Sequence, residues 1–213
     1  MSIILQGSDS WLEKGDTLIC FGDSITASTN GYVGMLQEHL AAKGIKVINA
    51  GRGGDKTPWA LTRLHKDVIE SGGSAVSFFF GANDSIIGRG EWVNEPTVSP
   101  NTFKENLKWM VHLCRLFSSI RKFSIATPAG EMEGKLYQNY GEIRRNYCLA
   151  AREAADEAGT CLVPLDSVFR REWEQNALQS DEHGLLHTKD GIHMRESGNR
   201  LIANAMLKTW NLL

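Results

Sequence analysis

The sequence predicts an α/β fold, with a central parallel sheet of five strands covered by helices on both faces. Two observations carry this. From Thr17 onward, short runs rich in β-branched and aromatic residues alternate with longer segments of helical periodicity, which is the pattern of successive βαβ units. The helical segments each carry a single apolar stripe, as helices that cover a sheet must.

The strand-like runs are residues 17–21, 45–49, 75–80, 123–127 and 160–163. Between the later ones, Phe103, Leu107, Met110, Cys114 and Phe117 recur at spacings of three and four, as do Tyr140, Ile143, Tyr147, Ala150 and Ala154. Both segments are predicted to be sheet-covering helices. A closing helix over residues 197–213 repeats the pattern with Leu201, Ile202, Ala205, Met206 and Leu213. Residues 85–100, with Gly88, Gly90, Trp92 and Pro96, form the one long irregular stretch, about as long as loops become without a functional reason.

A chain of 213 residues without repeat, linker or low-complexity tract is read as one domain over residues 1–213. A net charge of -2 gives no electrostatic reason to expect nucleic acid or an anionic membrane as partner. Nothing in the residues specifies an oligomeric state. Cys20, Cys114, Cys148 and Cys161 contain no CxxC pair, and three lie in apolar periodic stretches, so reduced thiols are expected. The first residues lack a basic n-region, and no segment approaches the ~20 apolar residues of a membrane span. A soluble, cytoplasmic protein without stable membrane association is the expectation.

In an open parallel sheet, ligands bind beyond the carboxyl ends of the strands. Three of those loops are unusual here: Gly22-Asp23-Ser24-Ile25-Thr26, Gly51-Arg52-Gly53-Gly54-Asp55 and Gly81-Ala82-Asn83-Asp84. Their small residues allow tight turns and close backbone approach to a ligand, and Ser24 and Asn83 supply short polar side chains. A fourth element, Lys189-Asp190-Gly191-Ile192-His193, sets a carboxylate and an imidazole three residues apart before the final helix. Together they ask for acyl transfer. Ser24 is the nucleophile, His193 its base and Asp190 the carboxylate that orients the imidazole. The Ser24 and Gly54 backbone N–H groups and the Asn83 amide are the candidate oxyanion donors.

These four stretches, in this order and spacing, resemble the four sequence blocks of the SGNH (GDSL-like) hydrolases. The resemblance spans Thr17 to the C-terminus, with Gly-Asp-Ser-Ile in place of Gly-Asp-Ser-Leu in the first block. It implies a flavodoxin-like three-layer α/β/α sandwich. It also places the family's serine, glycine, asparagine and histidine on Ser24, Gly54, Asn83 and His193. Gly54 is preferred to Gly53 because the family's glycine stands directly before the acidic or asparagine residue.

Other readings of these residues are weaker. Ser24 alone could be a helix cap, and Asp23 and Asp84 are expected to hold their loops by accepting backbone hydrogen bonds. His183 and His187 are four apart, but Gly184 stands where a zinc motif needs glutamate, so no metal is expected. The glycine-rich loop has Lys56 where a dinucleotide fingerprint needs its third glycine. The proposed chemistry needs no cofactor. Trp92 is a candidate substrate contact, ahead of Trp59.

The expected activity is that of a serine esterase working through an acyl-enzyme on a small-molecule ester. A short-chain esterase or carbohydrate deacetylase is favoured because the chain shows no strong apolar lid. The alternatives are a lysophospholipase or thioesterase for longer chains, an acyltransferase using the same residues, and a non-catalytic binding module.

Overall fold

The computed structural model describes residues 9–86, 98–129 and 133–213, and for residues 135–142 the backbone alone. Five parallel strands form one sheet: β1 (Thr17–Gly22), β2 (Lys46–Gly51), β3 (Ala75–Phe79), β4 (Lys122–Ala126) and β5 (Cys161–Val163), in the order β2-β1-β3-β4-β5. Helices α1 (Ser24–Ala27), α2 (Tyr32–Ala41), α3 (Thr57–Asp67), α4 (Pro100–Phe117), α5 (Lys135–Glu157), α6 (Leu165–Asn176) and α7 (Glu196–Thr209) make the connections and the close.

Side-chain alternation along the strands builds a core on each face. In β1, Leu18 and Cys20 face a cluster with Tyr32, Leu36 and Leu40 of α2, Phe169 of α6 and Ile202 and Met206 of α7. Ile19 and Phe21 face the other, with Leu64 of α3, Phe103, Leu107 and Met110 of α4 and Tyr147 of α5. The chain is thus a three-layer α/β/α sandwich with α2, α6 and α7 on one side and α3, α4 and α5 on the other. Phe21 meets Phe78 and Phe80 edge-on, with ring centroids 6.1 and 5.3 Å away. Truncating such a central ring to alanine costs about 3–5 kcal/mol.

Two helix ends depart from the sequence pattern. Phe117 is the last residue of α4 and is 63% exposed, and Val111 joins the buried stripe instead. The closing helix ends at Thr209 rather than running to Leu213. Asn211 adopts a left-handed φ of 55°, and the N–H groups of Asn211 and Leu212 bond back to the Lys208 and Leu207 carbonyls. This is a Schellman stop, and it leaves Leu213 exposed.

The register aligns the strand ends that matter. Gly22 of β1 pairs with Gly51 of β2 and with Phe79 of β3. The three loops that follow therefore emerge side by side, with the first in the middle.

Candidate functional site

Beyond Gly22, the Asp23 carboxylate caps α1 by accepting the Ile25 N–H at 2.9 Å. Ser24 is consequently the first helical residue, and its N–H belongs to the donors a first turn leaves unsatisfied. Its Oγ lies 3.1 Å from His193 Nε2, and His193 Nδ1 lies 2.7 Å from Asp190 Oδ2. An ionised carboxylate only accepts, so Nδ1 donates to Asp190 and Nε2 turns a lone pair toward the Ser24 hydroxyl. Asp190 Oδ1 also accepts the N–H groups of Ile192 and His193 at 3.0 and 2.8 Å. Burial pushes the Asp190 carboxyl up, but the His193 ring and these two amides outweigh it and hold it below the ordinary aspartate range. The pair stands at a hairpin tip, where the Asp190 and His193 side chains remain 53% and 51% exposed.

The hairpin is closed by Lys189 N–H to His193 C=O and Arg195 N–H to His187 C=O, both 2.8 Å. Its base rests on a residue the sequence reading passed over. Glu133, just before α5, is buried and accepts the backbone N–H groups of Leu186, His187 and Thr188.

The second loop is tied to the first by Arg52 N–H to Gly22 C=O at 3.0 Å, and to the third by Asn83 Nδ2, which donates to Asp55 C=O at 3.0 Å. Gly54 has a φ of 76°, left-handed backbone that disfavours any side chain. Gly51 is required by space: a Cβ there would lie 2.2 Å from the Ala27 nitrogen. Asn49 holds the same junction by donating to Thr26 C=O at 2.8 Å. Asp84 Oδ1 accepts both the N–H and the hydroxyl of Thr57, at 2.9 and 2.6 Å. Asp23 and Asp84 thus hold their loops as expected.

Arg63 of α3 is a second residue the sequence reading missed. Its guanidinium is buried, donates to Gly22 C=O and Ala50 C=O at 2.9 Å each, and pairs with Asp55 and Asp67. Its Cζ sits 4.2 Å from the Phe21 ring centroid. The only signal was a cation on the helix face that also carries Ala60 and Leu64.

Burial dominates the charges beneath the loops. It pushes the Asp23 carboxyl up to about 7, where the Ile25 amide, Arg144 and His193 work against it and Asp84 adds to it. Asp84 is raised to about 6 by burial against the Thr57 bonds. Arg144 of α5, also buried, is lowered to about 10 by desolvation.

Ser24, Gly54, Asn83, Asp190 and His193 therefore gather at the carboxyl end of the sheet. Trp92 lies outside the described residues, and Trp59 packs beneath Lys56, whose Nζ is 5.8 Å from its ring centroid. His187 Nδ1 is 3.1 Å from Ser197 Oγ, whereas His183 is exposed beside Glu182. A cleft of about 300 Å³ opens on the His193 side of Ser24, lined by Ile25, Ser28, Lys189, Met194 and Asn199. It adjoins a second of about 520 Å³ that adds Thr29, Asn30 and Glu196. No helix among the described residues is long and apolar enough to cross a membrane.

Residues 20–201 match the model of the GDSL-like Lipase/Acylhydrolase family. The isoamyl acetate-hydrolyzing esterase 1 homolog of Homo sapiens is 26% identical, over 87% of this chain and 77% of its own length. Among solved structures, an alpha/beta hydrolase enzyme from the metagenome of Lake Arreo, Spain, superposes with a TM-score of 0.80 at 23% identity, covering 96% of this chain and 99% of the other. An acetylxylan esterase from Geobacillus stearothermophilus does so with a TM-score of 0.78 at 21% identity, over 92% and 94%.

Proposed function

The chain belongs to the GDSL-like lipase/acylhydrolase family of ester hydrolases, and we propose that it cleaves short-chain esters of polar alcohols, with Ser24, His193 and Asp190 as its catalytic residues. The observation that carries this reading is the continuous hydrogen-bonded series from Ser24 Oγ through His193 to Asp190.

The Ser24 hydroxyl gives its proton to His193 Nε2 as Oγ bonds to the acyl carbon, and the carbonyl oxygen becomes the oxyanion. Asp190 stabilises the imidazolium. The donors to the oxyanion are the N–H groups of Ser24 and Gly54 and the Asn83 amide. One Asn83 N–H is committed to Asp55 C=O, which orients the amide and leaves the second for the oxyanion. Collapse expels the alcohol, which takes the proton from His193. Water then repeats the sequence on the acyl-enzyme, releasing the acid and restoring Ser24.

The departing alcohol must lie within reach of His193 Nε2, on the side where the cleft carries Ser28, Lys189 and Asn199. The Ser28 hydroxyl and the Lys189 ammonium offer hydrogen bonds that a hydroxylated alcohol uses and an alkyl chain does not, whereas the Asn199 amide is committed to Tyr32 and Arg195. The names of the relatives, an isoamyl acetate-hydrolyzing esterase homolog and an acetylxylan esterase, favour an acetyl or similarly small acyl group. Four unpaired cysteines accord with a cytoplasmic setting.

Hydrolysis of p-nitrophenyl esters from acetate to octanoate tests the reading, with Ser24→Ala beside the wild type. Activity highest on acetate and abolished in the variant is expected. A rise toward octanoate overturns the acyl-length assignment, and full activity of Ser24→Ala overturns the nucleophile. Further, kcat/KM should fall on the acid side as the imidazole is protonated; a flat profile from about pH 5 to 8 counts against His193.

A further inference from the structure

Glu133 is 5% exposed, and its carboxylate accepts from four donor groups among the described residues. Oε2 accepts the N–H groups of Leu186 and Thr188 at 2.9 and 2.8 Å and the Thr188 hydroxyl at 2.6 Å. The His187 N–H reaches both oxygens, at 2.8 and 3.0 Å. Charge-assisted bonds of this kind are the strong ones, and they are what makes a buried carboxylate tolerable. The residues they gather, 186–188, are the ascending arm of the hairpin that carries Asp190 and His193.

The connection continues. Thr188 Oγ1, having given its hydrogen to Glu133, accepts the Gly191 N–H at 3.0 Å. Gly191 follows Asp190, so this bond fixes the turn from which the Asp190 carboxylate meets the His193 ring. Thr188 also pairs with Met194 across the hairpin.

We propose that Glu133 is a positioning residue for the acid–base pair: through Thr188 and Gly191 it sets where Asp190 and His193 stand relative to Ser24. This rests on the catalytic assignment above. The charge type is essential to the role. Glutamine has nearly the same volume, but its amide would turn two hydrogens toward a ring of donors, and at least one of the five bonds would become a repulsion. A displacement of about 1 Å in a catalytic group costs on the order of 100-fold in rate.

The test uses Glu133→Gln and Thr188→Val in the full chain, the second keeping volume and backbone while removing the oxygen between Glu133 and Gly191. Three quantities are read: kcat and KM on p-nitrophenyl acetate, the acid limb of kcat/KM, and the downfield proton resonance of His193 Nδ1–H, which reports the bond to Asp190 without requiring turnover. The expected result is a fall in kcat of about 10- to 100-fold with KM within about twofold, a displaced acid limb, and a weakened or lost Nδ1–H resonance. Wild-type kcat, acid limb and resonance in both variants overturn the proposal. If Glu133→Gln does not fold, Thr188→Val decides alone by the same readings. A lost resonance in a protein whose Ser24→Ala variant keeps full esterase activity would uphold the positioning role and sink the catalytic assignment instead.

Discussion

Arg63→Met is the most informative perturbation of the scaffold, because the guanidinium joins the ends of β1 and β2 to the second loop and to α3. The Arg63 side chain is 9% exposed and its partner Asp55 only 3%. Burial leaves the Asp55 carboxyl raised on balance even with Arg63 beside it, so the pair does not fully offset its desolvation. Methionine fills the stem's volume but leaves that buried carboxylate only the exposed Arg52 guanidinium, 4.0 Å away. Removing one partner of a buried pair costs about 3–5 kcal/mol. Gly22 C=O keeps a second donor in the Arg52 N–H, and Asp67 is one-third exposed, so neither adds much. For a chain of this length each kcal/mol lowers Tm by about 2–4 °C, giving a fall of about 6–20 °C.

Urea and thermal unfolding followed by circular dichroism measure it, with Asp55→Asn and the double variant completing a cycle. The double variant should recover at least half of the loss, since neutralising Asp55 removes the stranded charge. A Tm for Arg63→Met within about 2 °C of wild type, or a double variant as unstable as the sum of the singles, would refute the reasoning.

Asn83→Ala should lower kcat by about 10²–10³ with little change in KM, as loss of one oxyanion donor does; steady-state kinetics on p-nitrophenyl acetate decide, and a change confined to KM would remove Asn83 from that role. Gly51→Ala forces a Cβ to 2.2 Å from the Ala27 backbone nitrogen, so β2 or α1 must move and stability should drop by about 1–3 kcal/mol; an unchanged urea midpoint would contradict the packing. Asp23 provides a pH test. With its carboxyl raised to about 7, the folded chain binds that proton more tightly than the unfolded one. Stability should therefore decline as pH rises from the ordinary aspartate range to about 7, by up to about 4 kcal/mol at 1.36 kcal/mol per unit. Asp23→Asn keeps an acceptor for the Ile25 N–H and should make this decline shallower between about pH 4 and 8, leaving the part that belongs to Asp84; parallel profiles for the two proteins would rule it out.

What the sequence made legible is what is local. Strand alternation at 17–21 and the stripe of Phe103, Leu107 and Met110 are set by neighbours a few residues apart, and they mark buried faces. The pairing of Asp190 with His193 is equally local, three residues on one turn. Glu133 was invisible because its partners stand 53 to 55 residues away and a lone glutamate before a helix usually faces solvent. Arg63 was missed although Asp55 and Asp67 stand only 8 and 4 residues away, because its burial depends on the carbonyls of Gly22 and Ala50 at the strand ends. The stop of α7 was readable in principle, since asparagine is the commonest residue after glycine to take the left-handed position.

The strand order explains why the proposed site takes its groups from two sources. The chain leaves β1 to build β2 on one side and then crosses to build β3 on the other, so the crevice of the doubly wound sheet opens beside β1. Ser24 stands at that point on a one-turn helix, with Gly54 arriving from the β2 side and Asn83 from the β3 side. The proposed nucleophile flanked by two proposed donors thus follows from β1 being central, and the loop-to-loop bonds of Arg52 and Asn83 fix the three together. The proposed base, His193, has no neighbouring strand end left to supply it. It comes instead from the segment between α6 and α7, far along the chain, and the position of that segment depends on side chains rather than on the sheet ladder. Asn199 of α7 does part of this work by accepting the Tyr32 N–H at the start of α2, which sets α7 against the serine side. Glu133 bonds the other end of the same hairpin. The proposed nucleophile and oxyanion donors stand at paired strand ends tied by a few side chains, whereas the segment carrying Asp190 and His193 has no strand beside it and is docked by Glu133 and Asn199.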